Sequence, residues 1–566
     1  FGVGDGGGGP KPENIELGLR MADLESAPKV KFDTAKNFFE RLNNSKKSIE
    51  TWVGELYLEL HRGTLTTHGL VKKQNRTLEN KLRNVEILWS CLNLNQYPHK
   101  ELDLLWKKLL INQFHDIIPG SSINLVYKNT HKEYNQIHKG CDDLINKASK
   151  KLFISSLNSF VLANTLSDRW KGTIEIPISY KNHEVIDQNS KKIPVLLKHD
   201  TLYGLVDLPP LSFSTFIKGQ KIIRESNVKK NLILENSVIR YEFDINGRLK
   251  SCFDKELNHE FLNDNGNIIS LYEDIPNNWD AWDIDFFYRD ALLETAKIVE
   301  AISGVECDFY QDLTFKFYIG NSTITQIVSL NSRSKRLDFI TKVNWKEKHK
   351  MLRVHFPLNV KSDQASFDIQ YGYVKRHTHQ NTSWDKAKFE VVGHKYADLS
   401  DYDCGVALLN DCKYGYMVHD NIIDLNLLRS PNNPDPEADI GDHDFIYSFF
   451  PHKHDLINSK VISEASCVNN KPLLFKEFKA LPKIPVSIDG EGLELSVLKK
   501  AEKKDCLILR IVERFGRKSE GKIYLSGEIT ECDLIEWNSI GEKVKVKENI
   551  TLKLKPFEIR TFLLKN

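Results

Sequence analysis

Long apolar runs are missing from this chain. None approaches the ~18 residues a membrane-crossing helix needs. Excess charge of one sign is missing too. Lys and Arg number 79 against 77 Asp and Glu, a net +2 over 566 residues. Binding nucleic acid or an anionic membrane surface calls for clustered basic excess, so neither partner is expected. The basic runs Lys348 to Lys350 and Lys500 to Lys504 include or adjoin acids and read as solvated faces. Nine cysteines show no CxxC or CxxH pairing, and their number is odd. That argues against a disulfide framework or zinc finger and for reduced thiols in a cytosolic or vacuole-delivered protein. Internal repeats, low-complexity tracts and a signal peptide are also absent. The chain opens on FGVGDGGGGP with Phe at position 1, which reads as a processed or truncated N-terminus. Sequons occur at Asn75, Asn321 and Asn381, but an Asn-rich chain supplies several by chance.

What is present is an ordinary globular composition, 40% apolar and 28% charged, in a length that suggests about three to five domains. Residues 1–31 read as irregular because Gly6 to Gly9 and Pro10 forbid a regular element. Asp33 is expected to cap a short helix through Leu42. Alternation over Trp52 to Leu60 predicts a strand entering the Arg62-Gly63 turn. The period then changes to three and four. It predicts amphipathic helices from Leu70 to Leu92, His99 to Phe114 and Ser121 to Leu152, punctuated by Pro98 and by Pro119-Gly120. Three such helices with short links read as an antiparallel bundle. Beyond about residue 155 short strand-like runs take over. These are Leu232–Phe243, Leu313–Tyr318, Ile324–Leu330, Leu337–Val343, Leu352–Phe356, Leu493–Val497, Cys506–Val512, Val544–Val546 and Leu552–Leu554. Turn signals such as Ile245-Asn-Gly-Arg and Asp489-Gly separate them, a β-sandwich pattern with a second boundary near 480.

Several stretches carry residues suited to chemistry, each with a plain structural alternative. In Leu109-Leu-Ile-Asn-Gln-Phe-His-Asp-Ile-Ile-Pro-Gly-Ser-Ser122 a helix is expected to end at His115-Asp116, with Ser121 or Ser122 capping the next. A neutral imidazole suits zinc and the carboxylate suits sugar hydroxyls. Equally, a His near a helix C-terminus is stabilised by the helix dipole. Glu55, Glu59, His61 and Arg62 crowd a turn, as a salt-bridge cluster or a polar wall for carbohydrate. Asp5 among glycines is either a general acid or part of a flexible end. Trp279, Trp282, Asp280, Asp283 and Asp285 either stack on and bond a sugar or order a loop between domains. His377 and His379 have the spacing that puts both on one face of a strand, but no third metal ligand is visible beside them. Pro434-Asp-Pro-Glu-Ala-Asp439, followed by Gly441, Asp442 and His443, reads as a rigid acidic loop without an assigned purpose.

Eight stretches in this order resemble family 38 α-mannosidases, especially the cytosolic and vacuolar branch. They are GDGGGGP at 4–10, ELYLELHRGTLTT at 55–67, NQFHDIIPGSS at 112–122 and NTLSDRW at 164–170. NWDAWDID at 278–285, YADLSDYDCGVALLNDCKYGY at 396–416, LLRSPNNPDPEAD at 427–439 and PFEIRTF at 556–562 complete the set. The resemblance implies a retaining hydrolase with one zinc ion, replaceable by cobalt, in which one carboxylate attacks and a second serves as acid and base. Its partners would be mannose-containing oligosaccharides, its location the cytoplasm or a vacuolar or lysosomal compartment, and its assembly a homo-oligomer. Residue by residue, His115 matches a zinc ligand and Asp116 its sugar-contacting neighbour. Asp5 matches the acid/base, and His61 and Arg62 match substrate-facing positions. The upstream His-x-Asp ligands and the nucleophile segment have no counterpart here, so this chain alone is expected to be inactive.

The implied architecture is multidomain α+β: a three-helix bundle, then β-sandwich domains, preceded by the tail of an α/β barrel-like catalytic domain. Residues 1–62 would be the remnant of that domain, 63–154 the bundle, 155–480 a large β-sandwich region and 481–566 a small β domain. Two other readings compete. One is a non-catalytic carbohydrate-binding or scaffold protein, for which the GDGGGG remnant would have no use. The other is a related zinc hydrolase acting on another α-linked sugar.

Overall fold

The computed structural model describes residues 9–45, 48–198, 200–222, 227–229, 231–300, 302–480 and 482–565. The chain divides into two compact units, Phe1–Leu56 and Tyr57–Asn566. The first holds helices α1 (Pro12–Arg20) and α2 (Ala35–Asn44), and neither buries a side chain. Thr34, not Asp33, is the N-cap of α2. Its hydroxyl accepts from the Asn37 amide at 3.2 Å, while Asp33 takes the side chains of Asn37 and Arg41. The strand expected over Trp52 to Leu60 does not form. Gly54 takes φ +117° and the Trp52 indole donates to the Glu55 carbonyl at 3.1 Å, turning the chain on itself. Alternation alone cannot make a strand without a partner, and no ladder pairs with this stretch among the described residues.

In the second unit, α3 (Gly69–Ser90), α4 (His99–Ile111) and α5 (Asn124–Leu152) carry the predicted periodicity. Leu78, Leu82, Val85, Leu88, Leu105, Leu109, Tyr134, Ile137 and Leu144 line their common interior, each at most 8% exposed. The same core continues through Leu493, Leu495, Leu498, Leu509 and Ile511, so the helices and the C-terminal strands share one apolar interior. Arg83 fixes that contact by donating to the carbonyls of Ser496 (2.8 Å) and Leu495 (2.7 Å). Neither Ser121 nor Ser122 caps α5: the N-cap position is Ile123, and the Ser121 hydroxyl donates instead to Asp116 at 3.0 Å. Likewise α4 stops at Ile111, so His115 and Asp116 lie in turns beyond it and not at its last residue.

Among the described residues every strand pairing after residue 152 is antiparallel. A large sheet runs from Gly372–His377 through Gln364–Ile369, Tyr396–Ser400, Cys404–Asn410, Gly441–Lys453, Leu337–Trp345, Ser322–Asn331 and Tyr310–Ile319. It packs against a six-stranded sheet whose centre is Ile268–Glu273, Lys350–Pro357 and Ile422–Arg429. Phe339, Phe356, Tyr447 and Phe449 fill the space between them, each at most 1% exposed. The run read as one strand over Leu232 to Phe243 is two, Ile233–Glu235 and Ile239–Phe243, in antiparallel pairing. Asn236 splits it, because its side-chain oxygen accepts from the amides of Val238 and Ile239 and makes a local turn. Phe153–Asn164 begins where α5 ends and pairs with Leu473–Ala480, which closes the region between them. The C-terminal strands form two sheets, built around Ser519–Tyr524 and Leu507–Glu513. All nine cysteines are free, seven of them buried.

Candidate functional site

Four of the singled-out stretches converge on the first turn of α3. The last of them arrives from some 370 residues downstream. Asp439 of the acidic loop accepts the backbone amides of His68 (2.6 Å) and Gly69 (2.8 Å), so this carboxylate performs the N-cap that the local sequence lacks. Asp435 pairs with the His68 ring at 3.2 Å, and that ring stacks on Tyr127 with centroids 3.6 Å apart. The Tyr127 hydroxyl donates to the Asp116 carbonyl and accepts from the Ser122 amide. The acidic loop thus has a purpose: it fastens the start of α3 and, through Tyr127, the turn that carries His115.

Arg429 sits at the centre of the junction, fully buried. It is ion-paired with Asp274 at 2.6 Å and donates to the Thr67 hydroxyl (3.0 Å) and to the carbonyls of Ala281 and Asp283. Gly63 is required here, because a Cβ would lie 2.6 Å from the Arg429 guanidinium. Lys72 is another buried cation here. Its ammonium donates to the carbonyls of Thr67, Ile118 and Pro119, tying α3 to the turn after His115. Burial pushes Lys72 down to about 7, against the pull of Asp439. Gly120 follows with φ +93°, and a Cβ there would strike the Thr67 carbonyl at 2.5 Å.

The predicted site residues divide sharply in this frame. His115 leaves 76% of its side chain exposed, and its Nε2 lies 3.4 Å from Asp116, itself 44% exposed. His61 adopts φ +64° with an exposed side chain. Arg62 is committed to the protein. It donates to the Tyr57 hydroxyl (3.1 Å), the Ala387 carbonyl (3.0 Å) and the Glu59 carbonyl, and lies over the Phe389 ring at 4.4 Å. Its backbone amide donates to Asp283 at 3.2 Å. Asp5 lies outside the described residues. Among the tryptophans, Trp279 is 66% exposed and meets Trp282 edge-on at 5.9 Å, beside a shallow cavity lined also by Pro276, Asp280, His349 and Asn433. Asp280 accepts the amides of Asn432 and Asn433 and so holds the loop that leads to Asp435.

A zinc ion needs three or four protein or solvent donors, of which His115 and Asp116 supply two at most. The described residues around His115 therefore do not complete a zinc site. Where the sequence showed only two histidines, the structure does bring three donors together: His377, His379 and Asp385. Sequence reading missed this carboxylate because it arrives from the next element, helix α6 (Ser383–Ala387). The visible signal was the Thr382-x-x-Asp385 capping box.

Three family models match this chain in order. They are the alpha mannosidase middle domain over residues 59–152, the glycosyl hydrolases family 38 C-terminal domain over 234–437, and the family 38 C-terminal beta sandwich domain over 492–562. The chain belongs to glycosyl hydrolase family 38. It is 34% identical to Alpha-mannosidase G of Dictyostelium discoideum over 99% of this chain and 57% of that protein. Alpha-mannosidase 2C1 of Homo sapiens is also 34% identical, over 100% of this chain and 55% of its own length. Alpha-mannosidase of Saccharomyces cerevisiae is 30% identical over 100% and 54%. The chain thus spans a little over half the length of these relatives. An alpha-mannosidase structure from Enterococcus faecalis V583 superposes with a TM-score of 0.78 over 95% of this chain and 72% of that one. At 17% identity, that match establishes the fold alone.

Proposed function

We propose that the protein to which this chain contributes is an α-mannosidase, hydrolysing terminal α-D-mannose from oligosaccharides with retention and with one zinc ion. The observation that carries the reading is similarity to α-mannosidases of three organisms at 30–34% identity, sustained over 99–100% of this chain. On this reading residues 63–154 are the middle-domain bundle, 155–480 the large β-sandwich region and 481–566 the small β domain. Residues 1–62 are the remnant of an α/β barrel-like catalytic domain.

His115 contributes one metal ligand and Asp116 a sugar contact. Their exposure in a turn that Lys72, Tyr127 and Asp435 hold from behind supports this assignment, since the imidazole is presented to solvent with Asp116 at 3.4 Å as its one ionic contact among the described residues. His61 and Arg62 belong to the same rim, and Arg62 acts mainly by positioning. Asp5 is the proton donor and acceptor. Zinc, when bound, polarises the sugar hydroxyls at the reacting ring. The remaining ligands and the nucleophile lie outside these 566 residues. Among the described residues no helix is long and apolar enough to cross a membrane. Cytoplasmic or vacuolar location and assembly as a homo-oligomer complete the proposal.

The test is hydrolysis of 4-nitrophenyl α-D-mannoside and of the matching α-glucoside by the protein isolated from its own cells. Mannoside hydrolysis, abolished by chelation and restored by Zn²⁺ or Co²⁺, is expected, with no activity from the 566-residue chain alone. A native protein that binds mannosides without cleaving them would replace this reading with a carbohydrate-binding one. Preference for the glucoside would place the protein on another sugar.

A further inference from the structure

At one edge of the large sheet, the strand Gly372–His377 ends on an imidazole whose neighbour two residues on stacks against it. The His377 and His379 rings lie 4.6 Å apart at 22°. Both face one carboxylate: His377 Nδ1 is 2.9 Å from Asp385 Oδ1, and His379 Nδ1 is 3.7 Å from Oδ2. Asp385 is held for that role. It is the third residue of α6, its Oδ2 accepts from the Thr382 hydroxyl at 2.7 Å, and its side chain is only 9% exposed. The histidines, at 45% and 32%, keep an open side. Burial would raise the Asp385 carboxyl, but the hydrogen bonds from Thr382 and His377 outweigh it and leave the group below its usual range, hence ionised.

We infer that His377, His379 and Asp385 form a binding site for a divalent transition-metal ion of the zinc class, separate from His115. Two imidazoles and one carboxylate are borderline donors that suit such an ion. With metal–donor distances of about 2.1 Å, tetrahedral coordination sets donors roughly 3.4 Å apart. The two measured separations fall either side of that value. With two neutral rings and one carboxylate, a bound dication has part of its charge answered by Asp385 and keeps a net positive charge. Two protonated imidazoles stacked at this distance would repel each other. Thr382 then plays the outer part common around metal-bound carboxylates, fixing the orientation of the ligand.

The ion clips the end of the Gly372–His377 strand to α6, whose last residue Ala387 offers its carbonyl to Arg62 at 3.0 Å. Neither His115 nor the proposed hydrolysis enters this argument, so the site stands or falls independently of them.

Co²⁺ added to the purified chain, followed by visible absorption and by calorimetry, tests the site. One tightly bound ion per chain is expected. Affinity should fall at least about tenfold in His377→Gln, His379→Gln and Asp385→Asn and stay unchanged in His115→Ala. Thermal unfolding of each variant without metal separates ligand loss from misfolding, and His379→Gln, which leaves the capping box intact, keeps the test decisive. Absence of binding, binding abolished by His115→Ala, or affinity unaffected by all three ligand substitutions would overturn the assignment.

Discussion

The first turn of α3 and the His115–Asp116 turn are joined by the Lys72 side chain, yet they are built in opposite ways. At the first, Arg429, Asp274, Asp435, Asp439 and Lys72 are each at most 6% exposed, and every one has an opposite charge or a backbone group to answer it. At the second, His115 projects into solvent with a single ionisable neighbour. Burying charge is costly unless it is paired and hydrogen-bonded, so the first region accounts for its residues by folding alone. His115 touches the Phe114 ring, with centroids 4.2 Å apart, but at 76% exposure it fills no part of the interior. The difference separates motif residues that build a wall from those the wall presents, and the proposed chemistry rests on the presented ones.

Arg429→Met should break the comparison hardest. It strands Asp274 and three oxygen acceptors in the interior, at a cost of about 3–5 kcal/mol in chemical unfolding. A loss under about 1 kcal/mol would mean that the junction does not organise the site.

Lys72 yields the next effect, and it depends on pH. Its folded value of about 7 lies below the ordinary 10.5. Between those limits the unfolded chain binds the extra proton, so the stability tied to Lys72 is fully present above the unfolded value and is lost as pH falls through about 7. Relative to Lys72→Met, the wild type should therefore lose stability from pH 10 to pH 7, on the order of 3 kcal/mol. Parallel unfolding curves for the two proteins across that range would remove the buried ammonium from the account.

The sequence shows this division only in part. The helices were legible because their apolar residues recur at three and four and because Pro98 and Pro119-Gly120 punctuate them. The Trp52 to Leu60 stretch misled because alternation is visible in one segment while the ladder partner a strand needs is not. Arg429, Asp439 and Lys72 were illegible for the same reason, since their partners lie far away in the chain. Asp385 was closer to view, six residues beyond His379 in a capping box, but strand spacing directed attention to the histidines alone. His115 stood out through family resemblance, whereas the structure supplies what resemblance could not: the buried frame behind it.

That frame makes His115→Ala the smallest change in stability and the most direct test. Two quantities measured on one substitution decide the matter, the unfolding free energy of the chain and the zinc-dependent mannosidase activity proposed for the native protein. The account predicts a stability change within about 0.5 kcal/mol, as for an exposed surface residue, with at least a hundredfold loss of activity, roughly what losing a metal contact produces. Full activity in the variant, or a loss of activity matched by a loss of fold, would contradict the division between wall and presented residue.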